Sequence, residues 1–97
     1  MRKSVILIPA LNPPIQEFVQ YINELICAGF DKIILVNDGS DKRYAKIFEE
    51  LSNKEEISYL EHDKNFGKGR ALKTGIKYFL DSYMNDKEWS RKLLNKK

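Results

Sequence analysis

An uninterrupted apolar run, Ile33 to Val36, that ends in the polar residues Asn37 to Asp41 constrains the fold most strongly. Aliphatic and β-branched residues without alternation predict a strand buried on both faces of a parallel sheet. The polar residues predict a turn that opens a helix, with Ser40 or Asp41 as its N-cap. Ligands of open α/β sheets lie beyond the carboxyl ends of the strands, so Asp38 is predicted at a ligand site. The alternative is that Asp38 and Ser40 only shape the turn.

The segment before this strand predicts a further strand and a helix. Val5 to Ile8 is a second apolar run without alternation, which predicts another buried strand. A helix should follow, with Asn12 as N-cap, Pro13 at the first helical position and Gly29 just after the C-terminus. Its inward-facing residues, which recur with the helical period, are Ile15, Phe18, Val19, Ile22, Leu25 and Ile26.

The segments after Asp41 continue the alternation of helices and strands. A second helix is predicted to bury Tyr44, Ile47, Phe48 and Leu51. A weaker strand at Ile57 to Leu60 follows it, and a third helix should begin within residues 65–75. The inward-facing residues of the third helix are expected to be Leu72, Ile76, Phe79, Leu80 and Tyr83.

The order of the elements predicts an α/β fold, a Rossmann-like three-layer β-α-β-α-β-α arrangement with a short parallel sheet and right-handed crossovers. Residues 1–83 are predicted to form this domain. Residues 84–97 are predicted to form a polar basic tail or a short helix, with Trp89, Leu93 and Leu94 as its apolar residues.

Length and composition limit the class of protein. The 97 residues suffice for one domain with a small core. The longest apolar run is too short to cross a bilayer, and no secretory signal is recognisable near the N-terminus. Cys27 has no second cysteine to pair with, so we expect it to be a small core residue of the first helix. These features predict a cytoplasmic protein.

The net charge of +3 is unevenly distributed. Residues 1–60 hold 7 Lys and Arg against 9 Asp and Glu, whereas residues 61–97 hold 10 against 5. A basic C-terminal part suits an anionic ligand, a nucleic acid or a membrane surface, but it also describes an ordinary solvated face. Phe and Tyr recur at core spacing rather than as a platform for stacking bases, so nucleic acid is not a predicted partner.

Three loops leave the carboxyl ends of the predicted strands and should meet at one edge of the sheet. Pro9 to Asn12 supplies small residues, Asn37 to Asp41 a carboxylate, and His62 to Gly69 glycines and cations. Glycines at a helix N-terminus let backbone N–H groups approach a phosphate, which Lys68 and Arg70 also suit. An acidic contact for a base or ribose and a basic contact for phosphates are what a nucleotide requires.

The third loop also allows a structural interpretation. Gly67 and Gly69 would then serve only a tight turn, and Lys68 and Arg70 would be solvated. His62 is predicted to be an exposed loop residue rather than a catalytic base. No Walker A motif occurs, and the glycines do not follow the first strand as a dinucleotide fingerprint requires.

Three motifs occur along the chain: V-I-L-I-P-A-L-N at residues 5–12, I-I-L-V-N-D-G-S-D at 33–41 and N-F-G-K-G-R-A-L-K-T-G at 65–75. Their order and spacing resemble the N-terminal half of a family 2 glycosyltransferase, which has the GT-A fold. The resemblance implies a site for a UDP-type nucleotide-sugar. The first motif would flank the base, Asp38 would accept a hydrogen bond from it, and the third motif would lie near the ribose and diphosphate. The implied binding residues are Pro9, Ala10, Leu11, Asn12, Asp38, Gly39, Ser40, Gly67, Lys68, Gly69 and Arg70.

The resemblance also implies a cofactor, Mg²⁺ or Mn²⁺, which an Asp-x-Asp motif holds against the departing diphosphate. No Asp-x-Asp occurs in this sequence, because the acids of Asp38-Gly39-Ser40-Asp41 are spaced too far apart. The acceptor half of the family's fold, with its catalytic base, has no counterpart either. We therefore expect a truncated GT-A domain that binds the nucleotide but is inactive alone, with no catalytic or metal-binding residue assigned.

The fourth strand of the family's fold would lie beside the first strand. Without it, Val5 to Ile8 would be an apolar edge prone to pairing. We therefore expect a homo-oligomer that forms through this edge, or a tail folded across it. The alternative function is a non-catalytic, self-associating structural module. A nucleotidyltransferase-like phosphate binder is a third hypothesis, although Pro9 to Pro14 stands where that group has its glycine-rich loop.

Overall fold

A computed structural model describes residues 4–83, so the predicted tail at residues 84–97 lies outside the described residues. Strands and helices alternate in the predicted order. The elements are β1 (Ile6–Ala10), α1 (Ile15–Cys27), β2 (Ile33–Asn37), a 3-10 turn (Lys42–Tyr44), α2 (Ala45–Ser52), β3 (Ile57–Glu61) and α3 (Lys68–Tyr83).

The three strands form one parallel sheet in the order β1-β2-β3. Leu35 in the middle of β2 pairs with Ile8 on one side and with Tyr59 on the other. Every residue of β2 is buried, as expected for an apolar run covered on both faces. The predicted Rossmann-like α/β fold with a short parallel sheet is confirmed.

Helices cover both faces of the sheet and complete three layers. α1 and α2 pack on one face, where Phe18, Ile22 and Phe48 join the buried side of the strands. α3 packs on the other face, where Ala71 lies against Ile34 and Val36. No helix in residues 4–83 has the length and apolar character needed to cross a bilayer.

The first strand extends beyond its predicted end. It continues through Pro9 and Ala10, which were predicted to belong to the following loop. The N–H of Ile6 points to β2, where it donates to Lys32. Since N–H groups alternate in direction along a strand, the nitrogen of Pro9 faces away from β2. An edge strand tolerates proline there, because no ladder hydrogen bond is lost.

The first helix begins later than predicted. Its N-cap is Pro14, without a side-chain cap, and Asn12 instead adopts a left-handed conformation with φ of 45°. The Asn12 side chain accepts a hydrogen bond from the Asp41 N–H at 2.8 Å, so a contact between loops replaces the predicted cap. Ile15 in the first turn is 44% exposed, so its predicted inward position is also wrong. Gly29 follows the helix as predicted.

Cys27 is exposed rather than buried in the core. It lies nine residues after Phe18 and five after Ile22, the two buried residues of α1. Successive residues of a helix are rotated by about 100°, which turns Cys27 away from their face. The expectation of a core cysteine is therefore wrong.

The third helix packs through Ala71 and Gly75, with Tyr78 and Phe79 against the same cluster, rather than through Ile76 and Leu80. Ala71 is fully buried and Gly75 is buried one turn later, while Ile76 and Leu80 are 50% and 48% exposed. A Cβ at Gly75 would meet the side chain of Leu7 on β1. The helix therefore approaches the sheet more closely than a stripe of leucines would allow, and the predicted inward positions of Ile76 and Leu80 are wrong.

Candidate functional site

The loops that follow the three strands meet at the carboxyl edge of the sheet. The Asp38 N–H donates to the Ala10 carbonyl at 2.8 Å, and the His62 N–H donates to the Asn37 carbonyl at 2.8 Å. These two bonds continue the β1–β2 pairing and the β2–β3 pairing by one residue beyond the strands. They place Asp38 and His62 side by side, where the sequence predicted a ligand site.

Asp38 is the most enclosed polar residue of this edge, with 3% of its surface exposed. Its Oδ1 accepts from the Phe66 N–H at 3.0 Å and faces His62 Nδ1 at 2.8 Å. Its Oδ2 accepts from the Gly67 N–H at 2.9 Å. A buried carboxylate is stable only when such donors compensate for its lost hydration. Asp38 therefore holds the third loop in place, which is a structural role. It also lines a cavity.

The same contacts govern the ionisation of Asp38. Burial by itself raises the pKa of the carboxyl group. The hydrogen bonds from His62 and from the N–H groups of Phe66 and Gly67 outweigh burial and hold the pKa below its ordinary value of 3.8. Asp38 is therefore an anion at neutral pH.

His62 is enclosed between Asp38 and α3, contrary to the prediction of an exposed loop histidine. Its side chain is 12% exposed, and its Nε2 lies 2.8 Å from the Thr74 hydroxyl. The Phe66 ring stands edge-on to the imidazole, with centroids 5.2 Å apart. The histidine follows β3 directly, so its backbone still pairs with β2 and its side chain is drawn into the edge of the sheet.

A cavity of about 320 Å³ opens beside Asp38. It lies between the end of β1 and the start of α3. Its lining residues are Pro9, Ala10, Leu11, Asp38, Asn65, Gly67 and Lys68. Six of the eleven residues implied by the resemblance thus surround one cavity, and Asn65 is a lining residue that the sequence analysis missed.

Asn12 and Ser40 join loops and do not line this cavity. The Asn12 N–H donates to the Ser40 hydroxyl at 2.9 Å, and the Ser40 N–H donates to the Asn37 side chain at 2.9 Å. Asp41 caps the 3-10 turn through the Arg43 N–H, so its predicted capping role is confirmed. These contacts hold the first two loops against each other.

Gly39 allows the third loop to pass close to the second. Its φ is +73°, and a Cβ there would lie 2.5 Å from the Asn65 nitrogen and 2.7 Å from the Lys64 Cα. Only glycine fits both the conformation and the space. The close approach brings Asn65 to Gly67 within reach of Asp38.

Arg70 and Gly69 lie outside the cavity, on the exposed side of the first turn of α3. The Arg70 guanidinium stands over the Phe66 ring at 5.2 Å, and the Lys64 ammonium is 5.4 Å from the same ring. Phe66 therefore holds two cations near the mouth of the cavity, although only Lys68 lines it.

A second cavity, of about 420 Å³, lies on the α2 side of the same edge and includes Gly39 and Ser40 in its lining. There the Asn37 side chain donates to the Tyr59 hydroxyl at 2.9 Å, and that hydroxyl donates to Glu61 at 2.8 Å. Burial, with the Glu61 carboxylate beside it, raises the pKa of Tyr59 to about 12. This network is satisfied internally.

The described residues do not fit the divalent metal that the resemblance implies. Within residues 4–83, no three His, Cys, Asp or Glu side chains come together as metal ligands. Asp38, the acid that faces the cavity of about 320 Å³, is surrounded by N–H donors, which prepares its oxygens for hydrogen bonds rather than for a cation. We derive no step through a metal.

The comparisons with known proteins agree with the motif pattern. The family model of Glycosyl transferase family 2 matches residues 5–84, which is most of the chain. No curated protein and no solved structure matches it. With three strands, three helices and the motif loops at one edge, the fold corresponds to the first part of a GT-A domain. The chain belongs to glycosyl transferase family 2.

Proposed function

We propose that this domain binds the nucleotide of a nucleotide-sugar donor, of the UDP type, in the cavity beside Asp38. The observation that carries the proposal is the position of a buried, ionised carboxylate in the lining of a cavity that the start of a helix also lines. A nucleotide needs an acceptor for the N–H of its base and donors for its phosphates, and the carboxylate and the start of the helix supply them.

The acceptor wall is formed by Asp38 and the backbone of Pro9 to Leu11. The apolar residues Pro9, Ala10 and Leu11 suit the face of a base. The carboxylate suits a ring N–H, and a hydrogen bond to a charged acceptor is stronger than one to a neutral acceptor.

The donor wall is formed by Lys68, where α3 begins; the N–H of Gly67 beside it already donates to Asp38. The positive end of a helix dipole favours an anion, and the Lys68 ammonium adds a full charge. Arg70 and Lys64 lie nearby over the Phe66 ring. They increase the positive potential at the mouth of the cavity, which favours a diphosphate.

The proposal is limited to binding. Among residues 4–83 we assign no nucleophile, general base or metal ligand, so sugar transfer by this domain alone is not proposed. A cytoplasmic location and the division at residue 83 stay predictions.

Thermal unfolding with and without millimolar UDP tests the proposal. UDP at about a hundred times its dissociation constant should stabilise the protein by roughly 2.7 kcal/mol, which raises the unfolding temperature by several degrees. Asp38→Ala should abolish the shift, whereas Asp63→Asn, a change to an exposed acid of the same loop, should preserve it. An equal shift in Asp38→Ala, or none in the unmodified protein, would contradict the proposal.

A second candidate function, self-association, is favoured by one specific observation. The backbone N–H and C=O groups of every second residue of β1 point away from β2. Ile76 and Leu80, both half-exposed, lie on α3, the helix that packs against β1. A second copy that pairs with this edge would cover both. Light scattering should then give a dimer mass that Ile76→Lys and Leu80→Lys, both at exposed positions, reduce to that of a monomer. A monomer at all concentrations would exclude this function.

A further inference from the structure

The orientation of the Asp38 carboxylate depends on two residues outside the cavity, His62 and Thr74. Because a carboxylate can only accept, the contact of 2.8 Å between His62 Nδ1 and Asp38 Oδ1 requires a proton on Nδ1. The other ring nitrogen, Nε2, lies 2.8 Å from the Thr74 hydroxyl, which can either donate to it or accept from it. The helix thereby fixes the ring, and the ring fixes the carboxylate.

The arrangement leaves the carboxylate with a limited number of acceptor positions. A carboxylate oxygen accepts about two hydrogen bonds in its plane. Oδ1 uses both of its positions for His62 and the Phe66 N–H. Oδ2 uses one for the Gly67 N–H. Among residues 4–83, one position on Oδ2 therefore has no donor, and Asp38 lines the cavity.

A carboxylate with one open acceptor position distinguishes uracil from guanine. The uracil ring offers one N–H between two carbonyl groups, so one acceptor satisfies it. Guanine offers a ring N–H and an adjacent amino group, which pair with a carboxylate through both oxygens. With Oδ1 fully used, the guanine amino group would be buried without a partner, which costs about tenfold or more in affinity.

We propose that His62 and Thr74 are positioning residues that make the site select a uracil-type imide over guanine, by holding Asp38 with one acceptor position open. The inference rests on the proposed function, since it concerns the base of the nucleotide bound there. Neither residue lines the cavity, so both act through Asp38.

The test compares the dissociation constants of UDP and GDP by calorimetry in matched variants of the full chain. Thr74→Val removes the hydroxyl at nearly constant shape, and Thr74→Ser retains it. His62→Leu removes the donor to Asp38, and His62→Asn supplies an amide N–H in place of Nδ1. Thermal unfolding of each variant measures its folding separately.

We expect the unmodified protein to bind UDP at least about tenfold more tightly than GDP. The ratio should fall towards one in His62→Leu, mainly through tighter GDP binding, because Oδ1 regains an open acceptor position. It should fall less in Thr74→Val, where the ring that donates to Oδ1 loses its contact with α3. Thr74→Ser and His62→Asn should keep most of the preference. A purely structural role would lower the unfolding temperature of Thr74→Val and leave the ratio unchanged.

Two results overturn the inference and are distinguishable from each other. Binding of UDP with no preference over GDP, or an unchanged ratio in folded Thr74→Val, refutes the positioning role and leaves the proposed function intact. Binding of neither nucleotide to the unmodified protein refutes both.

Discussion

The close approach of the third loop to Gly39 predicts an order of stability among three glycine substitutions. At Gly39 an alanine meets two penalties. A left-handed conformation with φ of +73° costs an L-residue about 1–2 kcal/mol. The new Cβ also overlaps backbone atoms of Lys64 and Asn65. Backbone cannot rotate away as a side-chain tip can, so the loop must shift, at a further cost of about 1–3 kcal/mol. Together the penalties reach about 2–5 kcal/mol.

Two glycines of the third motif, Gly67 and Gly69, allow the conformational penalty to be measured apart from the overlap penalty. Gly67 has φ of +100° but no atom within 4 Å of its Cβ position, so Gly67→Ala should cost only the conformational part, about 1–2 kcal/mol. Gly69 has neither a positive φ nor a neighbour within 4 Å and lies in the first turn of α3. Gly69→Ala should therefore be neutral or stabilise by up to about 1 kcal/mol.

Urea unfolding followed by circular dichroism measures the three free energies. In a domain of this size 1 kcal/mol corresponds to about 4–8 °C in the unfolding temperature, so thermal scans give an independent order. The expected order of stability is Gly69→Ala, then Gly67→Ala, then Gly39→Ala. If Gly39→Ala costs no more than Gly67→Ala, the third loop is not held against Gly39, and the account of how Asn65 to Gly67 reach Asp38 is refuted.

Three further predictions concern ionisation and packing. The folded pKa of Asp38 lies below its unfolded value of about 3.9, so its stabilisation should be complete well above that pH and lost as the pH falls through the folded pKa. Urea unfolding at falling pH should show the advantage over Asp38→Asn begin to decline at about pH 4. Tyr59, with its pKa raised to about 12, should ionise in an absorbance titration only as the pH approaches that value, and its stabilisation should be lost as the pH rises from 10 to 12. Gly75→Ala should destabilise the unmodified protein but stabilise a Leu7→Ala background, where helix propensity alone acts; equal effects in a double-mutant cycle would contradict the contact at Gly75.

The sheet was predictable because its signal is carried by neighbouring residues. Ile33 to Val36 has no polar position that a solvated face would need, and the structure buries all four. The turn chemistry after the strand also acts locally, so the cap at Asp41 and the carboxylate at Asp38 were predicted at their observed places. The boundary of β1 was missed because Pro9 is tolerated only at an edge, and the edge is a property of the whole sheet.

The face of α3 was not predictable from hydrophobicity alone. Apolar residues lie on both sides of the helix, Ile76 and Leu80 on one and Phe79 on the other, and the helical period does not tell which of these faces meets the sheet. The packing of Gly75 against Leu7 decides it, and that contact joins residues far apart in the sequence. A stripe of Ala71, Thr74 and Gly75 was the available signal, since small residues allow close approach of a helix to a sheet.

The errors at α3 and at His62 have one physical origin. The small side chains of Ala71 and Gly75 bring α3 close to the sheet, and this closeness places the Thr74 hydroxyl within 2.8 Å of the His62 ring. A helix packed through Ile76 and Leu80 would turn Thr74 to another face and leave His62 with Asp38 alone. The orientation of the Asp38 carboxylate therefore depends on how α3 packs against the sheet. The motifs in the loops do not contain that information, so they could not predict it.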